Sequence, residues 1–428
     1  MTALAVFGLL IGLILLGVPI AVSLGLAAIV VMAWMGGTDL LIILAQRMYS
    51  GISSFPLLAI PFFILAGNLM NTGGMTRRIF AFAQLFVGRI RGGLAHVNVV
   101  GSMIFAGMSG SAVADAAGLG VIEIEAMRKE GYSAKYAACI TAVSSTIGPI
   151  IPPSIPFVLY GSLASVSVGT LFLAGVVPGV LMGIALMAAI AAQAHRRKLP
   201  RMRKPIYDRA TLLATLGAVP ALATPALIIG GILSGVVTPT EAAVIAAFYA
   251  LLLGMFAYRE LRPGQVWQIL WESSRQTVQV MFIIATASAY GWVLVQQQIP
   301  NAVIDGMLSL STTPWVVLLL INIVLLVLGL FIEPIAIMLI ATPILLPLAA
   351  QIGVSPEHLG VIVVFNLMIG LVTPPVGLCL YAVASVSREP MGEIVKELWP
   401  YLIALLAVLA LVTHVPALAL WLPRQLGF

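Results

Sequence analysis

Thr146-Ile147-Gly148-Pro149-Ile150-Ile151-Pro152-Pro153-Ser154-Ile155-Pro156 is the stretch on which the reading of this chain turns. It lies inside an apolar segment, residues 133–162, long enough to cross a bilayer, yet it holds four prolines and a glycine. Each proline lacks a backbone N–H and clashes with the carbonyl one turn back, so no helix runs through intact. In hydrocarbon, open backbone is tolerated only where protein covers it or it lines a cavity. The same device returns as Ile369-Gly370-Leu371-Val372-Thr373-Pro374-Pro375. Paired interruptions at matching places in two halves point to the binding site of a transporter.

The rest of the composition agrees with a membrane setting. Of 428 residues, 61% are hydrophobic and only 8% charged, more apolar surface than a soluble fold can hide. The net charge of +6 fits cytoplasmic loops, because no basic-aromatic surface or zinc spacing supports a nucleic-acid role. Cys139 and Cys379 lie far apart in apolar runs and read as packing residues, not as a disulfide or a metal site. No charge precedes Asp39, so the N-terminus lacks the basic leader of a secretory signal and reads as retained membrane helices.

Outward from the first break, residues 1–36 form two short helices parted at Gly17-Val18-Pro19. Residues 38–54 form an amphipathic segment along the interface, and 55–72 a span. Residues 73–91 carry four arginines and cannot cross. Residues 92–127 are apolar but interrupted at Ser109-Gly110-Ser111, with arms too short to span, as in a re-entrant hairpin. Residues 171–194 form a full span. His195-Arg196-Arg197-Lys198, with Arg201, Arg203, Lys204 and Arg209, then marks a cytoplasmic linker near the midpoint.

Beyond the linker the pattern begins again. Gly131-Tyr132-Ser133 matches Gly353-Val354-Ser355 at an offset of 222 (353 − 131), and both Ile-Gly and both Pro-Pro pairs keep that offset. Basic residues swap sides between the copies. Arg128, Lys129 and Lys135 flank Gly131 while nothing basic flanks Gly353, and Arg388 and Lys396 have no counterpart near 163–169. Under the positive-inside rule this requires an inverted repeat, with both termini extracytoplasmic. The expected fold is an all-α polytopic membrane protein of two inverted-topology repeats, each with a re-entrant helical hairpin and a broken helix. Repeat 1 covers 1–194, with its hairpin at about 92–127 and broken helix at about 133–162; the linker covers 195–210. Repeat 2 covers 211–428, with hairpin at about 315–350, tip at Phe331-Ile332-Glu333-Pro334, and broken helix at about 356–387.

Unwound backbone offers carbonyls and hydroxyls to a hard cation, and half-helix N-termini favour an anion. Ser109, Ser111, Ser144, Ser145, Thr146, Ser154, Thr342 and Thr373 are the hydroxyls near the openings. Each has a plainer reading, a bond to its own helix or glue between helices. At Ser109-Gly110-Ser111 the functional reading is favoured, since glycine lets backbone approach an ion. Asp115 and Glu333 are carboxylates at membrane depth, which need a cation, a partner or a proton. Glu333 reads as organising the ion or the hairpin; Asp115 does so or caps the second arm. Glu241 after Thr238-Pro239-Thr240 reads as a helix start, and Asn68 and Asn98 as interhelical glue. Catalytic constellations are thin: the four histidines are scattered, and no His-Glu-x-x-His, Gly-x-Ser-x-Gly or Walker sequence occurs.

Gly107-Met-Ser-Gly-Ser-Ala-Val-Ala-Asp115, Thr146-Ile-Gly-Pro-Ile-Ile-Pro-Pro-Ser154, Gly235-Val-Val-Thr-Pro-Thr-Glu-Ala-Ala243 and Phe331-Ile-Glu-Pro334 with Thr342-Pro-Ile-Leu-Leu-Pro347 together resemble the large membrane subunit of TRAP (tripartite ATP-independent periplasmic) transporters, over essentially the whole chain. The resemblance implies a sodium-driven elevator importer of organic acids in the bacterial inner membrane, with no cofactor but coupling sodium ions. It also implies a separate small four-helix membrane subunit, a periplasmic substrate-binding protein, membrane lipid around the chain and no nucleic acid. Carried over, Ser109, Gly110, Ser111, Ser145, Thr146, Gly148, Pro149, Glu333, Thr342, Gly370, Thr373 and Pro374 become sodium-site candidates. Ser111, Pro152, Pro153, Ser154 and Pro375 become substrate-site candidates, and Asp115 a structural or gating group. A stand-alone Na⁺- or H⁺-coupled dicarboxylate or citrate carrier is the alternative within transport. A channel or a membrane enzyme is the alternative outside it.

Overall fold

The computed structural model describes residues 3–36, 40–201 and 216–428, apart from the side chains of 3–4 and 106–109. Arg203, Lys204 and Arg209 of the linker, and the side chain of Ser109, lie outside the described residues. Among the described residues the chain is all-helical. The first half holds α1 (Ala3–Leu15), α2 (Ile20–Gly36), α3 (Leu41–Ile52), α4 (Ala59–Thr72), α5 (Met75–Val87), α6 (Gly93–Ser109), α7 (Ala112–Lys129), α8 (Ala134–Ser145), α9 (Ile155–Ala164) and α10 (Val168–Ala194). The second holds α11 (Val219–Leu233), α12 (Pro239–Leu252), α13 (Pro263–Gln296), α14 (Ile299–Leu310), α15 (Pro314–Gly329), α16 (Pro334–Gln351), α17 (Pro356–Gly370), α18 (Leu378–Ser387), α19 (Met391–His414) and α20 (Ala417–Gln425).

The two lists keep step. Helices α7 and α16 both start and end 222 residues apart, and α9 and α18 do so at 223. The departure from register is as informative as the match. Helix α13 runs unbroken for 34 residues where the first half has separate α3 and α4. Pro56 sits at the junction between those two, and the position 222 residues on is Val278, so nothing interrupts the ladder there.

Among the described residues six helical stretches are long and apolar enough to cross a membrane: Phe55–Thr72, Val168–Ala194, Pro239–Ala257, Pro263–Gln296, Pro334–Gln351 and Met391–His414. Large apolar side chains such as Trp34, Phe86, Trp267 and Trp315 stand exposed on the outside, where acyl chains are as good a neighbour as leucine. Inside, α4 packs on α12, α13 on α2 and α3, and α7 on both α8 and α18. Cys139 and Cys379 are buried and unbridged. Asn98 Nδ2 donates to Thr141 Oγ1 at 2.7 Å, and Asn68 Nδ2 to Ser273 Oγ at 2.9 Å, so both asparagines bridge helices as their placement in apolar runs predicts.

Two groups of contacts between distant segments mark the ends of the broken helices. In one, Gly92 N and Tyr132 Oη both donate to Pro200 O, at 3.0 and 3.2 Å, Lys135 Nζ lies 3.3 Å from Glu393 Oε2, and Arg197 pairs with Glu397. In the other, Ser54 Oγ lies 2.8 Å from Ser162 Oγ, Thr240 Oγ1 donates to Phe55 O at 3.3 Å, and Tyr160 Oη donates to Pro356 O at 2.7 Å. The segment α8–α9 starts at the first group and ends at the second. The segment α17–α18 runs the other way.

Thr238 and Glu241 form a full capping box on α12: Thr238 Oγ1 accepts from Glu241 N at 3.3 Å, and the Glu241 carboxylate accepts from Thr238 N at 2.7 Å. The helix-start reading of Glu241 therefore holds. Thr238→Ala should lower the melting temperature of the purified protein by a few degrees and leave transport unchanged. A thermal-shift series alongside an uptake assay checks both halves of that statement.

Candidate functional site

Four chain openings meet in the middle of the molecule. The first hairpin turns at Gly110 and Ser111, between α6 and α7, and the first broken helix is open over residues 146–154. The second hairpin turns over residues 330–333, and the second break spans 371–377. The Pro152-Pro153 and Pro374-Pro375 bonds are both cis. Prolines alone do not open a helix here, since α16 continues through Pro343 and Pro347. The two helix breaks occur where a proline pair and glycine come together.

The first tip rests directly on the first break. Gly110 has φ +59°, and a Cβ there would stand 2.8 Å from Pro153 O and 3.2 Å from Ile155 N. The second half closes in a similar way, with Gly370 so near Gly329 that an added Cβ would meet its backbone at 3.1 Å. Glycine is needed at both seams because backbone lies against backbone.

Between the openings lies a cavity of about 570 Å³. Its wall includes Ser111 and Ala112 of the first tip, Pro149, Ile155 and Pro156 of the first break, Glu333 and Pro334 of the second tip, and Leu371 and Leu378 of the second break. The N-termini of α7, α9, α16 and α18 therefore all reach it. Unpaired N–H groups and the dipole make a helix N-terminus an anion-binding end. Among the described residues no lysine or arginine lines this cavity. Negative charge entering it would meet helix ends and side-chain amides.

Three of these N-termini are set by side-chain caps, while α18 starts at Gly377 without one. Ser111 Oγ accepts from Ala114 N at 3.4 Å, and the Glu333 carboxylate accepts from Ala336 N at 3.2 Å. These two caps occupy the same place, 222 residues apart. Ser154 accepts from Phe157 N at 3.2 Å and donates to Pro149 O, holding the first break in shape.

The candidate residues separate by position. Gly110, Ser111, Pro149 and Glu333 line the cavity. Gly370 lies on a smaller void of about 150 Å³ behind the second tip, against α1 and α2. Ser145, Thr146 and Thr373 give their hydroxyl protons to Ala142 O (2.8 Å), Val143 O (2.6 Å) and Ile369 O (2.7 Å), the plain reading for each of them. Thr342 is buried inside α16, its hydroxyl without a hydrogen-bond partner. Pro152, Pro153, Ser154, Pro374 and Pro375 lie in the break loops and are not part of the cavity wall. Ser111 is the N-cap residue of the second arm, and Asp115 stands in its first turn. The Asp115 carboxyl is buried against Gly148, where a Cβ would stand 2.5 Å from Oδ2.

Sequence reasoning missed the opposite wall. Asn68 and Asn71 of α4 and Gln276 and Gln279 of α13 face the cavity. The signal was present: two amides one turn apart share a face in the apolar α4, and two more do so in α13, there within a polar stretch that hides them.

The chain matches the family described as "Tripartite ATP-independent periplasmic transporter, DctM component" over residues 7–418. It is 43% identical over 421 residues, 98% of each chain, to the sialic acid TRAP transporter large permease protein SiaM of Vibrio cholerae. It is 44% identical over 384 residues, 90% of each chain, to the C4-dicarboxylate TRAP transporter large permease protein DctM of Pseudomonas aeruginosa. In fold it resembles the crystal structure of the Alcanivorax borkumensis YdaH transporter, with a TM-score of 0.65 at 15% identity, covering 95% of this chain and 98% of that one. A family match spanning nearly the whole chain, together with relatives above 40% identity, means that this protein belongs to the DctM-component family of TRAP transporters.

Proposed function

We propose that this chain is the large permease of a sodium-driven TRAP system that imports a small carboxylate across the bacterial inner membrane. The observation that carries the reading is the convergence of four helix N-termini on one cavity without a lysine or arginine in its described wall. Such a site suits an organic anion whose charge is partly offset by co-bound Na⁺. Relatives named for sialic acid and C4-dicarboxylates support the substrate class. The hairpins and broken helices, α6–α9 and α15–α18, form the moving body of an elevator, and α3–α5 with α13 and α14 belong to the scaffold. A small four-helix subunit and a periplasmic binding protein complete the system.

The two contact groups support an inverted repeat. The first gathers the basic ends, Lys135 and Arg197 among them, and the second gathers ends without such charge, as oppositely inserted copies require. Accessibility labelling of cysteines placed at 131 and 353 should then report opposite faces of the membrane.

The direct test is uptake into proteoliposomes holding this chain and its small subunit. Uptake should need both an inward Na⁺ gradient and the loaded binding protein, and should vanish when either is left out. Full uptake with no binding protein would replace this reading with a stand-alone carrier, and uptake driven by a pH gradient alone would remove the sodium coupling.

A further inference from the structure

One carboxyl in the first half has no part in the site above. Glu123 lies on α7, two turns beyond Asp115, and is fully buried. It ends a run of polar side chains from three helices. Ser102 Oγ donates to Ser144 Oγ (3.0 Å), Ser144 Oγ to Asn98 Oδ1 (2.6 Å), Asn98 Nδ2 to Thr141 Oγ1 (2.7 Å), and Thr141 Oγ1 to Glu123 Oε2 (3.5 Å). Oε1 has no hydrogen-bond partner and faces Gly101, where a Cβ would stand 3.3 Å from it.

The other half tests whether packing needs this group. There Asn366 Nδ2 donates to Asn322 Oδ1 at 2.8 Å, which joins α15 to α17 much as the Asn98–Ser144 contact joins α6 to α8. The positions 222 residues beyond Glu123 and Thr141 are Leu345 and Val363, and both are buried. Hydrocarbon alone therefore holds that arm against its broken helix. The acid in the first half is an added group that the fold does not require, at a burial cost that packing does not explain.

Three cations could neutralise it, and the geometry decides among them. Asp115, two turns earlier on the same helix and also buried, is a carboxyl of the same sign. Helices α4, α5, α6, α8 and α18 pack on α7. From α8 the carboxyl meets Thr141, and from α6 it meets Gly101. Of the basic groups on or beside these helices, Arg78 pairs with Glu260 and Lys135 with Glu393, while Arg91 Nε past the end of α5 and both ring nitrogens of the buried His96 on α6 make no hydrogen bond, so none of them is bonded to Glu123. A metal ion needs several free oxygens around it, whereas here the hydroxyl and amide groups are bonded to one another, and among the described residues no cluster of three metal-ligating side chains forms. A proton fits without moving an atom.

We propose that Glu123 is a proton-binding site, apart from the cavity, whose occupancy falls when a cation binds beside Asp115 at the first break. The linkage to a cation rests on the sodium-driven reading; the proton site does not. When the site empties, the carboxyl O–H bond breaks, its electron pair stays on the carboxylate and the proton passes to water. The sign follows from like charges: two carboxylates on one helix face oppose each other, and a cation beside the first relieves that opposition, so the second can ionise. Cation and proton therefore compete across two turns of α7.

Infrared difference spectroscopy on the purified, lipid-reconstituted complex reads the carboxyl directly and needs no transport. Without Na⁺, wild type should show a protonated-carboxyl carbonyl band that Glu123→Gln lacks, and adding Na⁺ at constant pH should reduce it. If Glu123→Gln does not insert, Glu123→Leu, the residue of the other half, serves in its place. Thr141→Val removes the donor to the carboxylate and should raise the pH at which the band disappears by about one unit. An identical band in wild type and both Glu123 variants would overturn the proton site. A Glu123 band indifferent to Na⁺ would overturn the link to the cation while leaving the proton site standing.

Discussion

Gly110→Ala should cut substrate uptake more than tenfold while leaving expression and membrane insertion near wild type. Gly110 sits at φ +59°, a conformation that costs an L-residue about 1 kcal/mol. The larger effect is steric. The new methyl would lie 2.8 Å from Pro153 O and 3.2 Å from Ile155 N, both backbone atoms of the first break, and neither can rotate aside. The first tip must lift from the break by a few tenths of an ångström. That shift moves the N-termini of α7 and α9 apart at the place where both face the cavity. A tenfold loss corresponds to about 1.4 kcal/mol, well within what a misplaced cation and anion site can lose. Gly12→Ala is the control, since nothing lies within 4 Å of a Cβ there. Wild-type uptake by Gly110→Ala would show that the seam between tip and break plays no part in transport.

How much of this was legible beforehand depends on how local the cause is. Proline chemistry acts within one turn, so the open stretches 146–154 and 371–377 could be read from their prolines and glycines alone. The hairpin arms were legible for the same reason, from length and from Gly110. Pro343 and Pro347 show the limit, for the helix around them survives where neither a proline pair nor a glycine adds to the break. What could not be read was partnership. Ser145, Thr146 and Thr373 carry the same hydroxyl as Ser111, yet they bond back to their own helices while Ser111 faces the cavity. The direction of a side chain is fixed by helix packing across more than a hundred residues. The amides on α4 and α13 are functional candidates only because α7 and α16 arrive opposite them.

Glu333→Ser should raise the Na⁺ concentration for half-maximal uptake roughly tenfold while the protein stays folded. The choice of serine follows from the repeat. Glu333 caps α16 through Ala336 N, and Ser111 caps α7 through Ala114 N from the corresponding position. Serine at 333 therefore keeps a cap suited to this backbone and removes the carboxylate, so a change in ion dependence reports that group and not the loss of the cap. Glu333→Ala removes the cap as well and should melt earlier, by about 1 kcal/mol of helix stabilisation. The pair of variants separates two roles that a single alanine change would merge. A carboxylate is otherwise hard to account for in a cavity whose helix ends all favour anions, because it competes with the substrate for the same positive ends. It ceases to compete when a cation lies between the two, with Glu333 on one side and the substrate carboxylate on the other. Substrate affinity should accordingly fall with Na⁺ affinity in Glu333→Ser, and both should recover together at high Na⁺. An unaltered Na⁺ dependence in this variant, with uptake near wild type, would mean that the acid serves only to cap its helix and that the cation is held elsewhere.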